Sequence, residues 1–590
     1  LPQGTALSDI APSRLRLLEN GREIPIEISG GSDGSFEAGD AITFVGQRNR
    51  GTDELWAYNG DASAQSSAYR SLYSDTTYYW LTWGGAEGRR YQTPSSSATT
   101  PTSSLRDTLH AEADNTYYFG RPSANGSPLY TDSEGYYWRQ FQHNSTGTKS
   151  LTHTLSVGRR VDNSTDLDLT VRLDGASASC HRVQIEGELR QGSGSTAFES
   201  LRTIEWQGYE RKTVTTSVAQ NRVPDGGLTI RITSRNGGFT SDSCPDPANT
   251  PNYVLLDWME AAYTRTLAAQ SGTQRFVAPN ATPYTFQLSN YAGGPVHVYN
   301  PTDAHSYTVS TTGGTATVSD APTAPSTPYW AVADGERRTP AVVRSGPTTN
   351  WSVPSAHGAD YVILTTEALL PSARRLADYR RSHNGYQVEV ALVQDIFDEF
   401  DYGRPTPIAI RRFVQATQQW SPAPRFLTLF GDAQYPIRDG SVETLYPPWS
   451  VPSFGYAPSD GWYAMQTDGP NDWSEVLAVG RIPVRSVAQG DVFINKLRSY
   501  ESAPLDRWQK RMLLLAGGTS ESEQEALQFY SNQWGERATG TPDTLYPAGM
   551  DTLRYYKNVD DALDASFQDS LSADLQQGTG WLNYFGHSAA

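Results

Sequence analysis

The stretch GWLNYFGHSAA, residues 580–590, decides how the second half of the chain is interpreted. Its apolar run from Trp581 to Phe585 is bounded by glycines, which is typical of a buried central strand in a parallel sheet. His587 follows just past the end of this strand, where open α/β sheets place ligands and catalytic groups. A histidine in that position can act as a general acid or base near neutral pH, and the alternative is a surface histidine in a loop.

Strands and helices alternate through the region that precedes this stretch, from Tyr361 onwards. Apolar strands are predicted at residues 361–365, 386–393, 426–430, 476–479, 512–516 and 553–556. Helices are predicted between them at residues 371–382, 408–420, 486–501 and 521–537, and a last helix carries Leu563, Phe567, Leu571 and Leu575 at steps of four. This alternation predicts a mostly parallel, three-layer α/β sheet.

The first half of the sequence predicts short β-strands separated by turn residues, which is typical of sandwich or jelly-roll units. These strands are predicted at residues 71–83, 167–173, 183–189, 228–232, 253–263, 284–288 and 296–299. We divide the chain into a β-rich N-terminal region (1–115), a β-sandwich or jelly-roll domain (116–268), a small β domain with a linker (269–350) and the α/β domain (351–590). The sandwich either serves as a scaffold beside the α/β domain, which we favour, or binds sugar or protein.

The composition favours an exported protein. Gly (51), Pro (36), Tyr (33) and Trp (15) are frequent and Met (4) is rare, which suits a β-rich extracellular chain. The net charge of −17 argues against nucleic acid as a partner. No apolar run of about 18 residues is present, and the first residues show no signal-peptide pattern. Because the chain starts with Leu1 and stops within a motif, we expect it to be a piece of a longer protein.

Cys180 and Cys244 are the two cysteines of the sequence. Both lie in the β-rich half and can form one disulfide, which an exported chain permits. The alternative is a pair of buried thiols. Neither is suited to act with His587, because each precedes it by more than three hundred residues.

Several carboxylates accompany the predicted strand ends and loops of the α/β half. They are Asp432, Asp460, Asp468, Asp472 and Glu475. Any of them could orient or charge the imidazole of His587. Taken singly, each is more often a turn residue or a helix cap.

As a set, five motifs of this half resemble the gingipain-type cysteine peptidases, which have a caspase-like fold. The motifs are GDA at 431–433, SDGWY at 459–463, EVLAVGRIP at 475–483, YE at 500–501 and NYFGH at 583–587. The resemblance implies that His587 is the catalytic histidine and that Glu475 or Asp460, with Glu475 preferred, is the acidic residue beside it. It also implies that the cysteine nucleophile follows on a later strand, beyond Ala590. We therefore expect the α/β domain to be incomplete at its C-terminus and this chain to be inactive by itself.

Within this group, the long β-rich first half resembles the cell-surface sortases of the type IX secretion system, as does the segment LDWME at 256–260. The resemblance implies an enzyme that cleaves the C-terminal sorting domain from exported protein cargo and transfers the cargo to a lipopolysaccharide anchor. It would work with other secretion components at the outer-membrane cell surface. Acyl transfer through a cysteine needs no cofactor, and a structural calcium ion is left open.

Two alternatives stay open beside the sortase interpretation. One is a secreted gingipain-like endopeptidase with an enlarged β-rich front, and the other is a non-catalytic adhesion or assembly protein that keeps a degenerate peptidase fold. The sequence also departs from the family pattern, since Ser588 stands where a glycine usually follows the histidine. The acidic residue behind the arginine preference of gingipains cannot be placed between Val484 and Asp491, so the substrate-binding residues are unassigned.

Overall fold

The computed structural model of the chain divides into two compact units, residues 1–491 and 492–590. The structure describes residues 6–95, 101–118, 129–131, 133–161, 165–192, 194–239, 251–341, 343–346, 349–434, 446–455, 458–466, 474–539, 549–557 and 565–586. Among the residues singled out by the sequence, Cys244, Asp468, Asp472, Leu563, His587 and Ser588 lie outside these ranges. None of the described helices is both long and apolar enough to cross a membrane.

Short strands and 3-10 turns, rather than a sandwich, make up residues 6–95. The strands are β1 Arg16–Glu19, β2 Arg22–Ile24, β3 Glu27–Ser29, β4 Ala41–Thr43 and β5 Tyr79–Thr82. Strands β2, β1 and β5 form an antiparallel sheet in that order, and β3 pairs with β4. The strand predicted at 71–83 is therefore wrong over its first part. There the Glu54 carboxylate accepts bonds from the Ser71 hydroxyl and, at 2.9 Å, from the Leu72 amide, so this backbone is bonded to a side chain rather than to a neighbouring strand.

A two-sheet antiparallel sandwich follows, as predicted. Its strands and the short ones beside them are β6 Pro101–Thr102, β7 Ser104–Glu112, β8 Thr116–Tyr117, β9 Tyr136–Tyr137, β10 Arg139–His143, β11 Gly147–Leu155, β12 Asp166–Gly175, β13 Cys180–Arg190, β14 Thr196–Gln207, β15 Arg211–Ala219, β16 Leu228–Asn236 and β17 Asn252–Thr266. One sheet has the order β10-β17-β12-β15, with β7 also paired to β17, and the other has the order β11-β16-β13-β14. Alternate residues of both sheets, such as Leu169, Val171 and Ile185, share one apolar core.

Cys180 begins strand β13, is fully buried and is disulfide-bonded. The sequence contains one other cysteine, Cys244, which lies outside the described residues. The state of Cys180 agrees with the predicted bridge and excludes the two-thiol alternative.

A smaller β unit occupies residues 273–333. Its strands are β18 Thr273–Ala278, β19 Tyr284–Leu288, β20 Pro295–Asn300, β21 His305–Ser310, β22 Ala316–Asp320 and β23 Thr327–Ala333. They form sheets with the orders β18-β23-β20-β21 and β22-β19-β6 around the stacked rings of Phe276 and Tyr329. The predicted strands at 284–288 and 296–299 are confirmed as β19 and β20.

The predicted parallel α/β alternation is confirmed from Tyr361 onwards. Its first elements are β24 Tyr361–Thr365, α1 Leu370–Asn384, β25 Val388–Leu392, α2 Val393–Asp401, α3 Pro407–Thr417, β26 Phe426–Phe430, β27 Ala478–Ile482 and α4 Val487–Glu501. The four strands are parallel in the order β25-β24-β26-β27. Helix α2 was not predicted, because it begins directly after Leu392 with no turn residue to mark the change of period.

The second unit contains its own parallel sheet. Its elements after α4 are β28 Arg511–Ala516, α5 Glu521–Thr539, β29 Asp551–Tyr556, α6 Ala565–Gln576 and β30 Trp581–Phe585, and the strand order is β29-β28-β30. Strand β30 has the predicted bounds, but the prediction of a buried central strand is wrong. It is the edge of this sheet, and Trp581 and Tyr584 are 50% and 51% exposed. The central strand is β28, whose Leu513 and Leu514 are fully buried, since an apolar run indicates residue type but not the number of neighbouring strands.

One hydrophobic cluster in the first unit joins the β-rich half to the parallel sheet. From the front half it contains Tyr58, Leu72, Tyr73, Leu129, Tyr130 and Tyr136, and from the α/β half it contains Ile410, Phe413, Leu429, Trp462 and Tyr463. These residues are distant in sequence, so the front half supplies part of the core against which the sheet is built. The predicted domain boundaries stay predictions.

Candidate active site at the carboxyl edge of the parallel sheet

Strands β26 and β27 end side by side, with Phe430 opposite Ile482. Immediately after β26, the Gly431 amide donates to the Ile482 carbonyl at 3.0 Å and the Asp432 amide donates to the Val484 carbonyl at 3.1 Å. Gly431 is required here because a Cβ at this position would lie 2.6 Å from the carbonyl oxygen of Trp449. The GDA motif thus forms the tight exit from a strand at the edge where α/β sheets place their sites.

Asp432 is already paired. Its Oδ2 accepts from the Nε of Arg485 at 2.7 Å, and its Oδ1 accepts from the Ala433 amide at 2.9 Å. The Arg485 guanidinium lies 4.7 Å above the ring of Trp449 and is largely exposed. This carboxylate therefore stabilises the backbone turn that follows β26 and binds an exposed arginine at the edge of the sheet.

Asp460 is engaged more fully. Its two oxygens accept from Nε and Nη2 of Arg481, both at 2.7 Å, in a two-pronged ion pair. Arg481 lies on β27 and also donates to the carbonyls of Gly431 at 2.9 Å, Val451 at 2.8 Å and Pro452 at 3.1 Å. The predicted catalytic candidate Asp460 is thus the counter-ion of Arg481, a largely buried arginine at the edge of the sheet.

The SDGWY motif forms the 3-10 helix Asp460–Ala464, whose aromatic residues face inwards. Trp462 lies under the guanidinium of Arg411 at 4.5 Å, and Arg411 also donates to the Met465 carbonyl at 3.3 Å. The hydroxyl of Tyr463 donates to the Pro452 carbonyl at 2.7 Å, and burial raises the pKa of this phenol well above its ordinary value. These contacts anchor the helix so that Asp460 and Gly461 lie at the edge of the sheet.

Glu475 differs from the other two carboxylates. Its backbone forms an antiparallel bridge with Met465, and the Val476 amide donates to the Ala464 carbonyl at 2.9 Å. The side chain is exposed, and no described residue gives its carboxylate a hydrogen bond or an ion pair. It lies against Gly461, where an added Cβ would be 2.7 Å from Oε1. Of the two acids, Glu475 is therefore the one whose oxygens have no partner among the described residues.

The structure brings Asp460 and Glu475 together but does not test their pairing with His587, which lies outside the described residues. The same holds for Asp468 and Asp472. Within the described ranges, no group of three or more His, Cys, Asp or Glu side chains could hold a metal ion. Arg481 was missed as a site residue, although the EVLAVGRIP motif contains it, because a lone arginine on a strand does not reveal its partners.

Residues 355–590 match the model of peptidase family C25. This is a family of cysteine peptidases, and the matched range begins just before β24 and includes both parallel sheets. The C25 region thus coincides with the α/β half in which the sequence motifs were found. No curated protein sequence matches the chain.

Among solved structures, the chain is similar to dimeric latent PorU from Porphyromonas gingivalis, with a TM-score of 0.54, 18% identity and 84% of this chain covered. The alignment covers 47% of the PorU chain, so this sequence spans about half the length of that protein. The fold, a strand-rich front followed by the C25 region, is therefore PorU-like. A structure described as a protease matches 39% of this chain and 45% of its own at 16% identity, with a TM-score of 0.25.

Proposed function

We propose that this chain belongs to a cell-surface cysteine peptidase of the sortase type. The observation that carries the proposal is the C25 match over residues 355–590, the range in which the Glu475 carboxylate lies at the edge of the sheet with no partner among the described residues. The PorU-like fold over 84% of the chain favours a sortase rather than a gingipain-like endopeptidase. The disulfide-bonded state of Cys180 supports an exported location.

The proposed reaction is acyl transfer. A cysteine thiolate attacks the carbonyl carbon of the cargo peptide bond, and the C–N bond then breaks as His587 gives its proton to the leaving amine. An amine of the lipopolysaccharide anchor then attacks the carbonyl carbon of the resulting thioester and gives a proton to His587, which is now neutral. The C–S bond breaks and the thiolate is released. Attack by water in place of the amine would give hydrolysis. The disulfide-bonded and buried Cys180 is unsuited to be the nucleophile.

The roles of the acidic residues follow from their contacts. We assign Glu475, rather than Asp460, to orient and charge the histidine, because the charge of Asp460 is already paired with Arg481, whereas no described residue pairs with Glu475. An orienting carboxylate accepts the imidazole N–H and stabilises the imidazolium with its negative charge, which in Asp460 is already matched by the guanidinium. We propose protein cargo with a C-terminal sorting domain, type IX secretion components and lipopolysaccharide as partners, with no cofactor in the chemistry.

The test is cargo cleavage by the complete natural protein, with and without an amine acceptor. His587→Ala should abolish cleavage and leave the unfolding transition unchanged, and Glu475→Gln should reduce kcat by a smaller factor. The matched control is Glu336→Gln, which removes an exposed carboxylate from the turn that follows β23 and should leave kcat as it is. Normal cleavage by His587→Ala would overturn the proposal.

The products separate the remaining interpretations. Transfer of cargo to the acceptor supports a sortase, and cleavage that gives only hydrolysis with the acceptor present indicates an endopeptidase. A folded wild-type protein that cleaves no cargo would favour adhesion or assembly.

A further inference from the structure

We infer that Arg481 is a positioning residue of this site, which rests on the proposed function: through its ion pair with Asp460 it fixes the place of the Glu475 carboxylate. The starting observation is that every N–H of the guanidinium has an acceptor. Nε and Nη2 bind Asp460, Nη2 also binds the Pro452 carbonyl, and Nη1 binds the carbonyls of Gly431 and Val451. A guanidinium has five N–H donors, so none is left for a substrate. Arg481 therefore acts on the protein itself.

The acceptors of Arg481 lie on three different segments of the edge. Gly431 is the exit of β26, Val451 and Pro452 belong to the loop that follows, and Asp460 begins the 3-10 helix. Only a planar, forked cation reaches all of these oxygens at 2.7–3.1 Å at once. A lysine at this position could bind one or two of them and would leave the others unpaired.

The 3-10 helix carries this constraint to Glu475. Gly461 follows Asp460 and lies directly against the Glu475 carboxylate. The backbone on either side is tied as well, since the Gln466 amide donates to the Ser474 carbonyl at 3.2 Å and Val476 donates to Ala464 at 2.9 Å. A shift of the helix that Asp460 begins would therefore move Glu475.

Asp460 has a corresponding role as the counter-ion. Its carboxylate is partly buried, and its two oxygens each take one prong of the guanidinium. Replacing one oxygen with an amide, as in Asp460→Asn, would set an NH2 group against a guanidinium N–H and break one prong. Asp460→Asn and Arg481→Lys should therefore have the same effect, although the two changes alter opposite partners.

A double-mutant cycle in the complete natural protein tests the inference. Arg481→Lys and Glu475→Gln should each lower kcat, the first by up to about 100-fold, because small displacements of catalytic groups are costly. The double variant should be no slower than the slower single variant, because Arg481 acts through Glu475. A double variant whose loss of kcat equals the product of the two single losses would overturn the inference, because two residues with separate roles give that result.

Arg485→Lys is the matched control. It alters the neighbouring arginine–carboxylate pair, with Asp432, on an exposed part of the same edge, and kcat should stay unchanged. If Arg481→Lys does not fold, Asp460→Asn takes its place in the cycle, because it keeps the arginine.

Amide hydrogen exchange separates the inference from the proposed function. In Arg481→Lys, exchange should become faster at the amides of residues 460–466 and at Val476, and remain as in the wild type in strand β24. If the wild type cleaves no cargo, the proposed function is wrong, but this measurement still tests whether Arg481 holds the 3-10 helix in place. Unchanged exchange at these amides would contradict the positioning role of Arg481, even if the enzyme is active.

Discussion

The indole ring of Trp56 stacks on that of Trp462 with ring centroids 5.8 Å apart. Phe454 completes the cluster, at 5.4 Å from Trp56 and 4.0 Å from Trp462. Trp56 belongs to the β-rich front, and Trp462 lies two residues after Asp460 in the 3-10 helix. The front half therefore packs directly behind the helix that places the candidate acids.

Trp56→Ala should destabilise the first unit. Truncating a large aromatic residue in a packed cluster removes about 3 kcal/mol from the free energy of unfolding. Urea denaturation followed by fluorescence measures this loss. Tyr209→Ala is the control, since Tyr209 is 51% exposed, and its change should stay within about 0.5 kcal/mol. Equal changes in the two variants would show that the Trp56 contact contributes little.

The sequence predicted the fold where its signals are local. The runs at 361–365 and 426–430 have the bounds of β24 and β26, because continuous apolar runs that alternate with helices are typical of a parallel sheet. The packing of Trp56 on Trp462 was beyond reach, since it joins residues about four hundred positions apart. The edge position of β30 was missed for the same reason, because neighbouring strands are a tertiary property.

The candidate site was predicted in part. Motif resemblance selected Asp460 and Glu475 as alternatives with Glu475 preferred, and the structure supplies a physical reason for that preference. What distinguishes them is the guanidinium of Arg481, which takes both oxygens of one and none of the other. Hydrogen-bond partners of this kind depend on several chain segments meeting, which a motif does not specify.

Asp320 should stabilise the small β unit at neutral pH. Burial opposes its charge, but hydrogen bonds from Asn300, Tyr307 and Tyr329 and the charge of His305 outweigh it and lower the pKa of Asp320. The folded state therefore favours the ionised form, so this stability is present above the ordinary carboxyl pKa and is lost as pH falls through the lowered value.

Asp320→Asn should accordingly cost about 2–3 kcal/mol near neutral pH, where a charged acceptor of several bonds is lost. The difference from the wild type should shrink as pH falls below about 4 and the wild-type carboxyl also becomes neutral. Urea unfolding across this range measures it. A difference that stays constant with pH would show that the Asp320 charge is not the stabilising feature.

Asp257 should have the opposite effect. Burial, and then the negative charges of Glu134 and Asp174, raise the pKa of Asp257 well above its ordinary value, and no described residue gives its Oδ2 a hydrogen bond. The folded state therefore binds a proton that the unfolded state has lost, so stability falls as pH rises above the ordinary carboxyl pKa towards the raised value.

Asp257→Asn should consequently stabilise the protein at neutral pH by about 1–3 kcal/mol, because the amide carries no charge to bury. The gain should be smallest near pH 4 and grow with pH, as thermal unfolding at a series of pH values would show. Asp33→Asn, in an exposed turn, is the control and should show no such trend. A loss of stability at neutral pH would contradict the prediction.

Gly461→Ala should impair the proposed peptidase without unfolding it. The new Cβ would lie 2.7 Å from Oε1 of Glu475, so the carboxylate must move. Because that carboxylate is the exposed end of a flexible side chain, the move costs little free energy of unfolding, but it takes the acid away from its position. We expect kcat in the cargo assay to fall by about tenfold or more, since misplaced catalytic groups lose rate steeply.

Gly480→Ala is the matched control for this change. Gly480 lies on β27 in the same motif, and an added Cβ there meets no described atom within 4 Å. It should leave both kcat and the unfolding transition as in the wild type. The decisive comparison is Gly461→Ala in the Glu475→Gln background, where the alanine should have little further effect on kcat because the group it displaces has already lost its charge. An equal loss of kcat in both backgrounds would show that Gly461→Ala does not act by displacing the Glu475 carboxylate.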